Sequence, residues 1–223
     1  MTQRTADRLS LLFIAFSFAF AAVMYPSLPE LIPTHWDAAG DVDAYTPKPW
    51  GAFLLPAIAW LVFVLMKLIP VISPKGFRTD HFMEVVRLFQ VVLVAFMAVL
   101  TVMTLLYAAG YEIDMPRFLA TALGVLFVIL GNYLGKVRKN FFIGIRTPWT
   151  LASDEVWART HRLAAWLFTL AGIATLMSAV YLQGLQVAVV SALIAGFVPV
   201  IYSFLLYRRL EGFEPEGEDE ETG

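Results

Sequence analysis

Asn140, Gly144, Arg146, Thr147, Pro148, Trp149, Trp157, His161 and Arg162 form a dense polar run in an otherwise apolar chain, with Asn132 just ahead of it. Six of the 16 Lys and Arg residues fall between Lys136 and Arg162, against two acids, Asp154 and Glu155. Arginine offers paired N–H donors to phosphate or carboxylate oxygens, so Arg146, Arg159, Arg162 and His161 suit a lipid phosphate, a nucleotide or an acidic partner surface. A plainer reading makes the same charges an anchor against headgroups, with Trp149 and Trp157 at the membrane interface. Charge alone favours the anchor. The asparagine, glycine, proline, threonine and histidine add nothing to anchoring and point instead to a defined folded segment.

The local signals agree with folding. Gly144 permits an unusual backbone angle or a close approach. Thr147 precedes a proline and is pushed to extended geometry, ending any helix there. Ser153, followed by Asp154 and Glu155, is a helix N-cap with acids in the first turn. On that helix Trp157 and His161 are four residues apart and share a face, which Thr160 borders.

A second polar segment runs from Pro26 to Pro49 and carries His35, Trp36, Asp37, Gly40, Asp41, Asp43, Tyr45 and Lys48. Its prolines prevent a continuous helix. Asp37, Asp41 and Asp43 with His35 offer oxygen-rich ligands to a hard cation. The competing reading is a compact turn whose aspartates accept backbone N–H groups while Trp36 lies at the interface. The spacing matches a calcium loop only superficially, because no closing glutamate follows, and no metal site is assigned.

The elements that must hold these segments are membrane spans. The chain is 59% hydrophobic and 15% charged, with mean hydropathy +0.71, where soluble domains are about 25% charged. Leu9–Tyr25, Leu88–Tyr111, Phe118–Gly135 and Leu163–Tyr207 contain no Asp, Glu, Lys or Arg. A bilayer core of about 30 Å needs roughly 20 helical residues. With a further span over Trp50–Ile72, and the last run divided at Gln183-Gly184-Leu185-Gln186, the count is six. The predicted fold is all-α, a polytopic membrane protein of six transmembrane helices. Continuous apolar runs exclude a β-barrel. The absence of cysteine excludes disulfides and thiolate chemistry.

Lys and Arg cluster before span one (Arg4, Arg8), between spans two and three (Lys75, Arg78, Arg87), within 136–162, and after span six (Arg208, Arg209). The other side has Lys48 and Arg117 against Glu30, Asp37, Asp41, Asp43, Glu112 and Asp114. Both termini are therefore expected in the cytoplasm. Ala19-Phe20-Ala21 resembles a signal cleavage site, but the apolar run is longer than a typical signal core. Expected units are an N-terminal membrane unit over 1–83, a second over 84–210, and a disordered acidic tail over 211–223.

Gly131-Asn132-Tyr133, Asn140 through Leu151, Val156-Trp157 and Thr160-His161-Arg162 together resemble the signature of the SdpI family of prokaryotic membrane proteins. Ile32 to Trp36 with Gly40, Asp43, Tyr45 and Lys48 resembles the extracytoplasmic domain of unknown function that often precedes it. Asp37, Lys139 and Ala44 depart from the commoner asparagine, proline and glycine. The resemblance implies a non-catalytic immunity and signalling protein of the cytoplasmic membrane. Its implied partners are a secreted peptide toxin outside and a soluble ArsR-like repressor inside, with no cofactor and no direct contact to nucleic acid. Two other classes stay open on the residues. A transporter would use Lys67, with kinks at Pro56 and Pro199. A lipid or peptide enzyme would use His161 as acid and base beside phosphate-holding arginines.

Overall fold

The computed structural model describes residues 1–72, 80–181 and 185–212. Lys75, Arg78, the Gln183-Gly184 break and the acidic tail beyond 212 lie outside them. Among the described residues six helices are long and apolar enough to cross a membrane, and the chain is a multipass membrane protein. They are α1 (Gln3–Met24), α2 (Lys48–Ile72), α3 (Asp80–Ala108), α4 (Met115–Leu134), α6 (Asp154–Tyr181) and α7 (Gln186–Leu210), with a one-turn helix α5 (Pro148–Ala152) before α6. Thr2 caps α1 through the Thr5 N–H, and Asp114 caps α4 through the Arg117 N–H. Pro56, Pro70 and Pro199 stand inside helices, as membrane spans allow.

The Pro26–Pro49 segment adds an element that the sequence reading left as loop. Strands β1 (Leu31–Trp36) and β2 (Val42–Pro47) pair antiparallel, from Leu31 opposite Pro47 to Trp36 opposite Val42. Asp37 makes the turn: its Oδ1 accepts the N–H groups of Gly40 at 2.8 Å and Asp41 at 3.0 Å. Gly40 holds φ +98° with its α-carbon against the Pro116 ring. The prolines excluded a helix, but Pro33 and Pro47 tolerate extended geometry, and a ribbon results.

Two sets of three helices pack in the molecule: α1 and α2 with α3, and α6 with α4 and α7. Connectivity places the N-terminus, the 135–153 segment and Arg208-Arg209 on one face, and the hairpin on the other. In the first set a polar cluster joins three helices. Lys67 Nζ donates to Asp7 at 2.8 Å, and Gln90 Nε2 donates to Asp7 at 3.3 Å and to Ser10 at 3.1 Å. Gln90 and Ser10 are buried. A lone lysine at this depth would need a partner or a route to water. Asp7 supplies the partner.

The second set depends on close backbone approach between α4 and α6. A Cβ on Gly172 would stand 2.7 Å from the Gly124 carbonyl oxygen and 2.7 Å from the Val128 nitrogen. One on Gly131 would stand 2.6 Å from the Thr169 nitrogen. Small residues let membrane helices gain dispersion contacts where water expulsion contributes nothing. Gly172→Val must therefore push α4 and α6 apart, at a cost of about 1–3 kcal/mol or more. Thermal unfolding in detergent should show a lowered midpoint for Gly172→Val. Gly196→Val should fall much closer to wild type, because no neighbouring helix comes within 4 Å of a Cβ there. Equal midpoints for the two variants would contradict the packing account.

Candidate functional site

The segment between α4 and α6 carries most of the polar residues picked out above, and it is folded around two side chains. Asn140 is fully buried. Its Nδ2 donates to the carbonyls of Arg138 at 2.8 Å and Ile143 at 3.0 Å. Its Oδ1 accepts the N–H groups of Phe142 and Ile143, both at 2.7 Å. A carboxamide has two donor hydrogens and two lone pairs, so the whole capacity of this side chain goes into its own loop.

His161 is the second. It is buried on α6, and Ile145 N–H donates to its Nε2 at 3.0 Å while its Nδ1 lies 2.9 Å from the Trp157 carbonyl. A carbonyl can only accept, so Nδ1 carries the hydrogen and Nε2 presents its lone pair. That is the neutral imidazole in one defined tautomer. Gly144, at φ +107°, brings the backbone onto this ring, and a Cβ there would run into Nε2. Trp157 stacks on the imidazole with centroids 4.0 Å apart, and its Nε1 donates to the Val137 carbonyl at 2.8 Å. The shared face expected from the i, i+4 spacing is a stacked, buried pair.

Downstream, Thr147 and Thr150 form a reciprocal cap on α5. Thr150 Oγ1 also donates to the Ile145 carbonyl at 2.8 Å, and the hydroxyls of Thr147 and Ser203 lie 3.0 Å apart, tying the segment to α7. Trp149 meets Phe204 edge-on at 5.0 Å. Ser153 Oγ accepts the Val156 N–H at 3.4 Å, as the N-cap reading expects. Val137 and Ile143 complete an apolar cluster with Ile69 of α2, Val86 and Phe89 of α3, and Trp157 and Ala164 of α6. The segment thus binds the two helix sets together on this face.

The charged residues sort differently. Arg146 is exposed and donates to the Phe141 carbonyl, and Arg159 pairs with Glu155 one turn away. That exposed i, i+4 pair contributes only about 0.3–0.5 kcal/mol. Lys139 pairs with Asp154. Arg146, Arg159, Arg162 and His161 are not gathered as one set. A cleft of about 670 Å³ opens instead beside α6, lined by Lys136, Arg138, Lys139, Arg162 and the edges of Trp157 and His161. Arg162 also borders a second cleft with Arg159. Pro148 is exposed at the start of α5, and Asn132 is exposed and donates to the Val128 carbonyl within its own helix. Neither lines the basic cleft.

On the opposite face the hairpin collects the other residues. His35 pairs with Asp43, and Asp37 is committed to the turn. Trp36 lies edge-on to Tyr107 at 5.9 Å. Tyr45 is exposed, and Lys48 Nζ lies 4.9 Å above the Tyr25 ring. Among the described residues no three His, Asp or Glu side chains converge as metal ligands. The Asp7–Lys67–Gln90 cluster escaped the sequence reading. Its signal was present: Lys67 is charged inside a span, and Asp7 is the acid on α1.

Asn140→Ala would take the partner from four backbone groups, of which the N–H and carbonyl of Ile143 are buried. At about 1–3 kcal/mol for each group that stays dry, it should rank among the most damaging substitutions outside the spans. Gly144→Ala should also destabilise, through both its positive φ and the His161 ring. Limited proteolysis of membrane vesicles, read for cleavage within 136–147, checks this. Both variants should be cut much faster than Arg146→Ala, and equal resistance would contradict the folding of this segment around Asn140 and His161.

Residues 136–203 match the SdpI/YfhL protein family, and residues 12–60 match a domain of unknown function (DUF1648). The chain is also 25% identical over 206 residues to the immunity protein SdpI of Bacillus subtilis (strain 168), covering 92% of this chain and 97% of that one. No solved structure matches it. The family match covers the segment between α4 and α6 together with α6 and most of α7, and the second match covers the hairpin with the adjoining parts of α1 and α2. The resemblance to the SdpI family read from the sequence is borne out by the match over residues 136–203.

Proposed function

We propose that this protein is a non-catalytic immunity protein of a prokaryotic cytoplasmic membrane, protecting its cell from a secreted antimicrobial peptide. The observation that carries the reading is end-to-end similarity to a protein named for immunity, over 92% of the chain. Arg4, Arg8, the basic cleft and Arg208-Arg209 share one face, while the hairpin face holds Glu30, Asp37, Asp41 and Asp43. The positive-inside rule then favours both termini in the cytoplasm and the hairpin outside. The peptide meets the hairpin residues His35, Trp36, Asp37, Gly40, Asp43, Tyr45 and Lys48, or the outer helix ends beside them.

The cytoplasmic face presents Lys136, Arg138 and Arg162 to an acidic surface, as on a soluble ArsR-like repressor held at the membrane when peptide is present. Peptide changes that affinity only through a difference in its binding to two arrangements of the helix sets. An enzymatic reading has less support, because both His161 nitrogens are already engaged with backbone groups. A transport reading has less support because Lys67 is paired with Asp7. The reading requires no cofactor.

Expression in a peptide-sensitive bacterium should raise survival under challenge with secreted antimicrobial peptides of the related class, and no protection against any of them would overturn the immunity reading. Arg138→Glu with Arg162→Glu should preserve that protection and abolish recruitment of a repressor to the membrane fraction. Unchanged recruitment would overturn the assignment of the basic cleft.

A further inference from the structure

On the hairpin face the two helix sets separate. Between α2 and α3 on one side and α4 and α7 on the other lies a cleft of about 390 Å³, walled by Leu55, Leu100, Leu123, Phe127 and Val189. The hairpin closes its outer end through Thr34, His35 and Trp36. This volume falls within the range of small-molecule sites, about 300–1,000 Å³. The polarity is graded. The walls along the spans are hydrocarbon, and the polar groups stand where the hairpin and the end of α3 meet.

One polar group there has no partner among the described residues. Trp36 Nε1 is buried and donates to no acceptor. Buried N–H groups are nearly always satisfied, and an orphan costs about 1–3 kcal/mol. The rest of the indole is fixed by Tyr107 and by the cluster of Ala120, Ala179 and Leu185. The donor therefore cannot simply swing to water without giving up that packing.

We propose that the cleft binds one glycerophospholipid, an acyl chain lying along the leucine walls and an ester carbonyl accepting from Trp36 Nε1. A long apolar body with a hydrogen-bond acceptor at one end matches both the grading and the orphan donor. The cleft sits at the depth where bilayer lipid supplies such a molecule continuously. The bound chain fills the space between the helix sets, so it sets their spacing on the hairpin face. This inference stands independently of the immunity reading.

The test uses the full chain in nanodiscs of dioleoyl phosphatidylethanolamine and dioleoyl phosphatidylglycerol, released for native mass spectrometry. Wild type should retain a single phospholipid mass. Leu123→Trp fills the cleft and should abolish retention. Leu61→Trp, on the exposed outer surface of α2, should retain lipid as wild type does. Trp36→Phe keeps an aromatic ring at the site and removes the donor, and should weaken retention by about 2–10-fold. Should Leu123→Trp fail to fold, Trp36→Phe decides. A lipid-free wild type, a retained mass equal to a free fatty acid, or undiminished retention in Trp36→Phe would overturn the proposal.

Discussion

A chain that leaves one membrane helix at Leu134 and enters the next at Asp154 must fold back on itself with every backbone N–H and C=O group that it buries on the way still satisfied. Every other feature of the 135–153 segment follows from meeting that constraint without regular structure. Asn140 satisfies four backbone groups, His161 a fifth, Trp157 a sixth, and the Thr147–Thr150 pair caps the short helix. Each is a side chain acting as a substitute for a ladder bond. Because these groups have spent their hydrogen-bonding capacity, they are frame rather than chemistry. What remains available to a partner is the basic rim of Lys136, Arg138 and Arg162.

The same segment closes the molecule at one end. Its Val137 and Ile143 fill the junction of α2, α3, α4 and α6, so the two helix sets share an apolar cluster there. At the other end the hairpin bridges them more loosely. Ile32 packs with Ala21, Ala52 and Leu105 on one side, while Trp36 packs with Ala120, Ala179 and Leu185 on the other. The Leu185 N–H donates to the Ala38 carbonyl at 2.9 Å. A structure tight at one face and cleft at the other can change the spacing of its halves by small motions about the tight end. That geometry suits the proposed coupling of the hairpin to the basic rim.

Much of this was legible in the sequence. Charge-free runs of near-bilayer length marked five of the six helices and the apolar Trp50–Ile72 run the other, and the i, i+4 spacing of Trp157 and His161 foretold their contact. The non-basic members of the polar run marked it as folded. What sequence could not show was which capacity each side chain spends inward. Asn140 and Arg146 look equally available as letters, yet one is buried with all its bonds internal and the other is exposed. The hairpin was missed because prolines argue against helix without arguing for strand. Asp7 was missed because its partner Lys67 is 60 positions away, and long-range pairing leaves no local period.

The central claim is that the 140–147 backbone is held by Asn140 and His161 although no helix or strand contains it. Hydrogen–deuterium exchange of the full chain in lipid nanodiscs reads this directly at the Phe142, Ile143 and Ile145 amides. Strong protection, comparable to amides inside α6, is the predicted result. Exchange as fast as that of the exposed hairpin turn would contradict it.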